Sequence, residues 1–319
     1  MSKYIIKRFL MLIPVLLGAT FFVFCIMDMS PGDPAVIILG PDASPENIAD
    51  LKVELGLDKP LMVRYFNFIG NLIKGDLGTS YKNNISVMDQ IRDKLPNTFL
   101  LALSGMLVAV VVGIPVGIIS AKKQYSVFDN VTMVVTLILA ASPAFWLGLM
   151  LVLLFSLNLG WFPSSGMGSG FGGVIKSLIL PAITVGSNTA ALVARMTRSS
   201  MLEVIRQDYI DTARAKGLKE SVITYKHMLK NALIPIITVV GLQFGVLLGG
   251  SVMTETVFSW PGVGRFVVEA IKTKDIPSVL GSVVVLCILF SFVNLFVDIL
   301  YAYVDPRIKS QYKAGRSSK

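Results

Sequence analysis

The sequence predicts an all-α membrane protein with six transmembrane helices. Three observations lead there. Only 15% of the 319 residues are charged and 54% are apolar, whereas a water-soluble domain carries about 25% charged residues. The apolar residues gather in blocks, and a block of about 18 or more can cross a hydrocarbon core roughly 30 Å thick. The lysines and arginines lie mostly between those blocks. Lipid offers a backbone no hydrogen-bond partner, so each block must be helical.

The blocks run over 9–27, 99–119, 131–159, 178–194, 232–253 and 279–302. The fourth is the least apolar, because Ser187, Asn188 and Thr189 lie inside it. Lys3, Lys7 and Arg8 precede the first, as in a secretory signal. No Ala-x-Ala-like cleavage site follows, and the run is long for a signal core, so it reads as a retained helix. Cys25 and Cys287 fall inside apolar blocks, where a buried thiol is the ordinary reading. The net charge of +9 reflects basic loops rather than nucleic-acid binding.

Six crossings put both termini on one side. With that side taken as cytoplasmic, the inner segments 1–8, 120–130, 195–231 and 303–319 hold 18 of the 29 Lys and Arg residues. Positive charge favours the cytoplasmic face, so both termini are expected there. The chain then divides into an N-terminal helix (1–27), an outer segment (28–98), a membrane core (99–302) containing an inner loop (195–231), and a tail (303–319).

The outer segment opens with the rigid turn Pro31-Gly-Asp-Pro34. Ser44-Pro45-Glu46 predicts an N-cap, a proline at the first helical position and an acid in the first turn. Gly56 is a stop signal. A second helix is expected from Pro60, with Leu61, Tyr65, Phe68, Ile69 and Leu72 on one face and Gly75-Asp76-Leu77-Gly78 ending it. Such a segment serves either as a small helical cap or as a docking surface.

The inner loop is mostly good helix formers interrupted at Gly217, which predicts two helices and a turn. Val222, Tyr225, Leu229 and Leu233 form an expected apolar stripe after it. The small residues Thr212, Ala213 and Ala215 leave a slim helix suited to entering a groove.

Here the sequence resembles a known family. Asp211-Thr212-Ala213-x3-Gly217 is similar to the "EAA" loop of binding-protein-dependent ABC importers, which reads Glu-Ala-Ala, three residues, Gly, nine residues, Ile-x-Leu-Pro. Asp211 stands in place of Glu, Thr212 in place of Ala, His227 in place of Ile, and Lys230 in place of Pro; Leu229 matches. The resemblance narrows to the dipeptide/oligopeptide/nickel permeases. It is carried by Pro31-Gly-Asp-Pro34, Leu55-Gly-Leu-Asp-Lys-Pro60, Gly75-Asp-Leu-Gly-Thr-Ser80 and Ser142-Pro-Ala-Phe-Trp-Leu-Gly148. It continues through Thr212-Ala-Arg-Ala-Lys-Gly-Leu218, Asn231-Ala-Leu-Ile-Pro235, Glu255-Thr-Val-Phe-Ser-Trp-Pro-Gly-Val-Gly-Arg265 and Tyr301-Ala-Tyr-Val-Asp-Pro-Arg307.

The resemblance implies a type I ABC importer permease fold in a bacterial or archaeal cell membrane. It implies a second permease subunit, two ATPase subunits and an extracytoplasmic binding protein as partners. Small peptides are the expected cargo, with nickel chelates as the alternative. The region 210–218 is implied to dock on the ATPases, making Asp211, Thr212, Ala213, Gly217 and Leu218 the coupling residues.

Asn188, Gln243, Asn294 and Asp298 are polar at membrane depth, which is costly and often functional. Asn188 and Gln243 are the expected path-lining residues, offering uncharged donors and acceptors to a peptide backbone; a hydrogen bond between helices is the competing reading. Gly113, Gly117, Gly241, Gly245 and Gly249 are spaced for close helix approach. Glu255, Trp260 and Gly262 form an expected outer gate or docking loop, the competing reading being a re-entrant turn. Trp260 is expected at the membrane interface.

The chain has no Gly-Lys pair, hence no P-loop. Its one histidine excludes an HExxH zinc site, and no catalytic set is expected. No metal and no cofactor is expected on this chain; ATP belongs to the partner subunits. A stand-alone channel or secondary transporter would show internal repeats or mid-membrane charges, and neither is evident.

Overall fold

The computed structural model describes residues 2–304. The expected tail beyond 304, with the end of the Tyr301–Arg307 stretch, lies outside the described residues, and so does the side chain of Asp298. No strand forms among the described residues beyond one antiparallel bridge between Thr79 and Ser86. The chain divides into two compact units, 2–99 with Ser259–Ser291, and Leu100–Phe258 with 292–304.

The first unit begins with α1 (Ser2–Met29). Asp33 caps α2 (Pro34–Leu39), its carboxylate accepting from the Ala35 N–H at 3.0 Å. Ser44 caps α3 (Pro45–Glu54) as expected, accepting from the Asn47 N–H at 3.2 Å. Gly56 follows at φ +67°, a left-handed position that favours glycine. Helix α4 (Leu61–Ile73) presents the predicted face: Tyr65 is buried with Phe24, Met27 and Leu280, and Leu61, Phe68 and Ile69 pack around it. Helix α5 (Val87–Lys122) starts well before the apolar block. Its first turns pack Val87 and Ile91 on Leu77, Val263 and Phe266. Helix α13 (Val263–Lys272) and the part of α14 (Ile276–Val304) up to Ser291 complete the unit.

Two buried charges hold the turn between α13 and α14. Lys274 takes φ +54° and its ammonium donates to the carbonyls of Ser30 (2.5 Å) and Met27 (3.3 Å). A cation on the last carbonyls of a helix satisfies orphan acceptors and complements the dipole. Asp275 accepts from Ser80 Oγ (2.5 Å), the Tyr81 N–H (3.0 Å) and Ser278 Oγ (2.7 Å). Such partners are what make a buried carboxylate tolerable. Burial raises the Tyr81 hydroxyl above its ordinary pKa, with Arg64 opposing and Asp275 adding to the rise.

The second unit contains the rest of α5, then α6 (Val127–Ala141), α7 (Ala144–Leu151), α8 (Gly170–Ile205), α9 (Asp208–Ala215), α10 (Glu220–Val222), α11 (Leu229–Gly250) and α12 (Val252–Val257). Among the described residues, five helices are long and apolar enough to cross a membrane, and six if α6 and α7 form one span. The third apolar block is therefore not straight. It bends by 106° at Ser142-Pro143. Proline disfavours an α-conformation for the residue before it and supplies no N–H; here Ser142 is extended (ψ 130°) and the helix ends at Ala141. The chain resumes as α7 and then widens into a π-helix over Val152–Asn158.

Helix α8 explains the weak fourth block. Two thirds (67%) of its apolar window is buried, against 17% for α1. A helix surrounded by protein can carry Ser187, Asn188 and Thr189 where a lipid-facing one cannot. Helix α5 packs close against it. A Cβ on Gly117 would meet the Ala194 carbonyl at 2.6 Å, and one on Gly113 would meet the Ala190 carbonyl at 2.8 Å. These two glycines serve packing within the chain. Gly241 approaches Val297 in the same way (2.5 Å), but Gly249 faces open space.

Candidate functional site

The candidate site is the hairpin between α8 and α11. Helix α8 ends at Ile205, and Gln207 leads in extended backbone into α9. Two acids, Asp208 and Asp211, occupy the first turn of α9, where the N–H dipole favours them. The helix stops at Gly217, φ +72°. The Gly217 N–H donates to the Arg214 carbonyl (2.9 Å) and the Leu218 N–H to the Ala213 carbonyl (3.3 Å). This is a Schellman turn, and it needs a residue that accepts left-handed backbone. The expected role of Gly217 as a helix stop therefore has a geometric basis.

One face of α9 is anchored and the other is free. Ile210 is fully buried and Ala213 nearly so, packed with Ile118 and Ala121 of α5, Val193 and Met201 of α8, and Ala232 and Ile236 of α11. Asp211, Thr212 and every residue from Arg214 to Val222 are exposed. Arg214 bridges the turn, donating from Nη1 to Asp211 (3.1 Å) and from Nε to Glu220 (3.0 Å). Asn231 on α11 donates to the Tyr209 hydroxyl (3.0 Å), a second tie. Of the predicted coupling residues, Asp211, Thr212, Gly217 and Leu218 lie on the free surface, while Ala213 is an anchor. Ile210 was missed; its spacing of three from Ala213 is the signal that marks one face.

The apolar stripe expected after the turn is corrected. Val222 and Tyr225 are exposed, Tyr225 by 64%. The buried set is Ile223, Met228, Ala232 and Ile236. The reason is a π-helical stretch, Ile223–Met228, whose wider turn shifts the register ahead of α11. A stripe read at 3.6 residues per turn misses that shift.

Asn188 is half-buried and its amide donates to the Ala140 carbonyl at 3.3 Å. That carbonyl belongs to the last turn of α6, where the break at Ser142-Pro143 removes helical donors. Asn188 thus bridges two helices, the competing reading at this position. Gln243 is half-buried on α11.

Glu255, Trp260 and Gly262, the expected outer gate or docking loop, present no exposed side chain within this chain. All three are buried. Glu255, on α12, accepts from Ser251 Oγ at 2.9 Å. Trp260 is completely enclosed and donates from Nε1 to the Asn97 carbonyl at 2.9 Å. Asn97 in turn donates to the Pro261 carbonyl (3.0 Å), and the Val263 N–H donates to Thr98 Oγ1 (2.8 Å). An indole so held is a structural pin, not an interface anchor, because both its ring and its N–H are satisfied by the chain itself.

Sequence reasoning also passed over a buried ion pair. Arg198 on α8 holds Asp129 at the start of α6, and Asp129 also accepts from Ser120 Oγ and the Tyr125 N–H (3.0 Å). One cluster therefore joins α5, α6 and α8. Both residues sit at block edges, where isolated charges read as loop.

Up to six candidate membrane spans, with a basic hairpin between the fourth and the fifth, define a multi-pass membrane protein. The comparisons identify which one. Residues 113–310 match the binding-protein-dependent transport system inner membrane component model, and residues 1–102 match its N-terminal companion. The chain belongs to this family of transport-system membrane components. It is 46% identical to the dipeptide transport system permease protein DppB of Alkalihalophilus pseudofirmus, covering 97% of this chain and 100% of that one. It is 42% identical to the oligopeptide transport system permease protein AppB of Bacillus subtilis, with 97% and 100% covered. It is 41% identical to an Escherichia coli glutathione transport system permease protein, GsiC, with 97% and 99% covered. In fold it is similar to the MetNI methionine ABC transporter in its inward-facing form, with a TM-score of 0.57 at 19% identity over 68% of this chain and 97% of that one. The fold is that of a type I ABC importer permease.

Proposed function

We propose that this chain forms half of the membrane pathway of an ATP-driven importer for small peptides. The relatives' names share one cargo chemistry, since dipeptides, oligopeptides and glutathione are all short peptides. An extracytoplasmic binding protein delivers the peptide, a second permease completes the pathway, and two ATPase subunits supply the energy. This chain holds no nucleotide: it has no Gly-Lys pair to build a phosphate loop. Both termini face the cytoplasm, as the bias of positive charge indicates.

The observation that carries this reading is the division of α9 into an anchored and a free face. Ile210 and Ala213 sit in a core shared with α5, α8 and α11, so force applied to the exposed turn is delivered to three membrane helices at once. Asp211, Thr212, Gly217 and Leu218 meet the ATPases, and Ala213 transmits the movement. ATP-driven closure shifts the bundle between outward- and inward-open populations only if the ATPases bind the two states differently. Asn188 and Gln243 line the path on this reading.

The test is uptake of a labelled dipeptide by vesicles holding all subunits and the binding protein. Leu218→Asp, on the exposed turn, is expected to abolish copurification of the ATPases and uptake while leaving the permease folded. Full uptake with the aspartate in place would end the coupling assignment. Failure of every short peptide, with uptake of some other solute, would end the cargo assignment.

A further inference from the structure

We infer that α4, in the segment expected outside the membrane, is embedded in the bilayer as a laterally packed helix with one face on the acyl chains.

Its depth comes first. The apolar span of α1 runs over Leu10–Met29, 20 residues, or about 30 Å of helix, the thickness of the hydrocarbon core. The Tyr65 hydroxyl donates to the Leu17 carbonyl at 2.8 Å and lies 3.1 Å from Thr20 Oγ1. Leu17 is about 18 Å of helix below Met29. The Tyr65 ring also packs edgewise on Phe21 (5.1 Å) and Phe24 (5.7 Å). The neighbouring Arg64 points the opposite way, over Phe24 and up to Asp28 Oδ1 at 2.7 Å. A tyrosine reaching inward and an arginine reaching to the span's end are what a helix set below the interface requires.

The three faces of α4 fit that position. Leu61, Tyr65, Phe68 and Leu72 face the core. Arg64, Asn67 and Asn71, spaced by three and four, line a cavity of about 310 Å³ with Glu54, Lys59 and Asp76. Met62, Phe66 and Ile73 fall on the remaining face and are exposed by 51%, 66% and 82%. A water-facing helix would not place three large apolar side chains there. α1 exposes Phe22, Ile26 and Met29 over the same stretch, so the apolar face of α4 adds to a surface that already meets lipid. The occupant is therefore the acyl-chain region of the bilayer.

The test uses the full chain, assembled with its partners in phosphatidylethanolamine/phosphatidylglycerol vesicles, with Cys25 and Cys287 replaced by alanine. Nitroxide labels are placed through Met62→Cys, Phe66→Cys and Ile73→Cys, with Asn67→Cys and Asn71→Cys as polar-face controls. Oxygen is expected to relax the first three labels several-fold more strongly than a water-soluble nickel chelate, and the controls are expected to show the reverse. Strong relaxation of labels 62, 66 and 73 by the chelate would overturn the inference in favour of an aqueous cap. Exclusion of both reagents would overturn it in favour of a protein partner on that face. Phe66→Trp in the native-cysteine chain gives a second measure: the fluorescence it adds over that of the native Trp146, Trp161 and Trp260 is expected to be quenched by brominated acyl chains, and an unquenched increment would count the same way as a protected label.

Discussion

Arg198 and Asp129 meet in a two-pronged ion pair, Nε to Oδ1 at 2.6 Å and Nη2 to Oδ2 at 2.7 Å. Asp129 is 1% exposed. Removing one partner strands the other, which costs about 3–5 kcal/mol for a buried pair, whereas removing both can be nearly neutral. Asp129→Asn is therefore expected to lower the thermal midpoint of the detergent-solubilised protein sharply. The double change Asp129→Asn with Arg198→Met is expected to recover most of the loss. A double variant as unstable as the single one would contradict this account.

The left-handed backbone at Gly217 sets a conformational requirement rather than a requirement for small size, since nothing lies within 4 Å of a Cβ placed there. Asparagine tolerates that backbone and a β-branched residue does not. Gly217→Asn is expected to keep ATPase copurification near the native level and Gly217→Val to lose most of it. Equal behaviour of the two would show that the Schellman turn does not matter.

The membrane glycines are expected to separate by contact. Gly117→Ala and Gly241→Ala drive a methyl into positions 2.6 Å from the Ala194 carbonyl and 2.5 Å from Val297; overpacking of this kind costs about 1–3 kcal/mol. Gly249→Ala meets nothing and gains up to about 1 kcal/mol of helix propensity. Thermal unfolding of the three variants in one detergent checks the order.

Asn188→Leu removes the donor to the Ala140 carbonyl. Interhelical hydrogen bonds in membrane proteins are worth about 0.6 kcal/mol on average, so a small fall in thermal midpoint is expected. If Asn188 also lines the path, the Michaelis constant for peptide uptake rises while ATPase copurification is unchanged. A drop in stability alone would confine it to bridging.

Long apolar blocks, caps and glycine stops were legible because each depends on local composition. Ser44, Gly56 and Gly217 act within a few residues of themselves, so spacing finds them. What escaped depends on distant partners or on local departures from regular helix. Trp260 looks like an interface residue until Asn97 takes its N–H. Val222 and Tyr225 look like a packed stripe until the π turn at Ile223–Met228 moves the register. The pairing of Arg198 with Asp129 crosses 69 positions, which no window along the chain can span. The 106° bend at Ser142-Pro143 was marked by its proline, but the block's uniform apolarity hid it.

The salt bridges of Arg214 to Asp211 and Glu220 have a kinetic consequence. The Glu220 pair staples the two arms of the turn together, and the Asp211 pair steadies α9 itself, before any other protein arrives. A loop that must freeze on contact forfeits conformational entropy at that moment, and this one has little left to lose. Whatever grips it meets a ready shape. High salt, which weakens exposed pairs, should then slow recognition by loosening the grip site itself, even where no ion pair crosses the boundary between the two proteins.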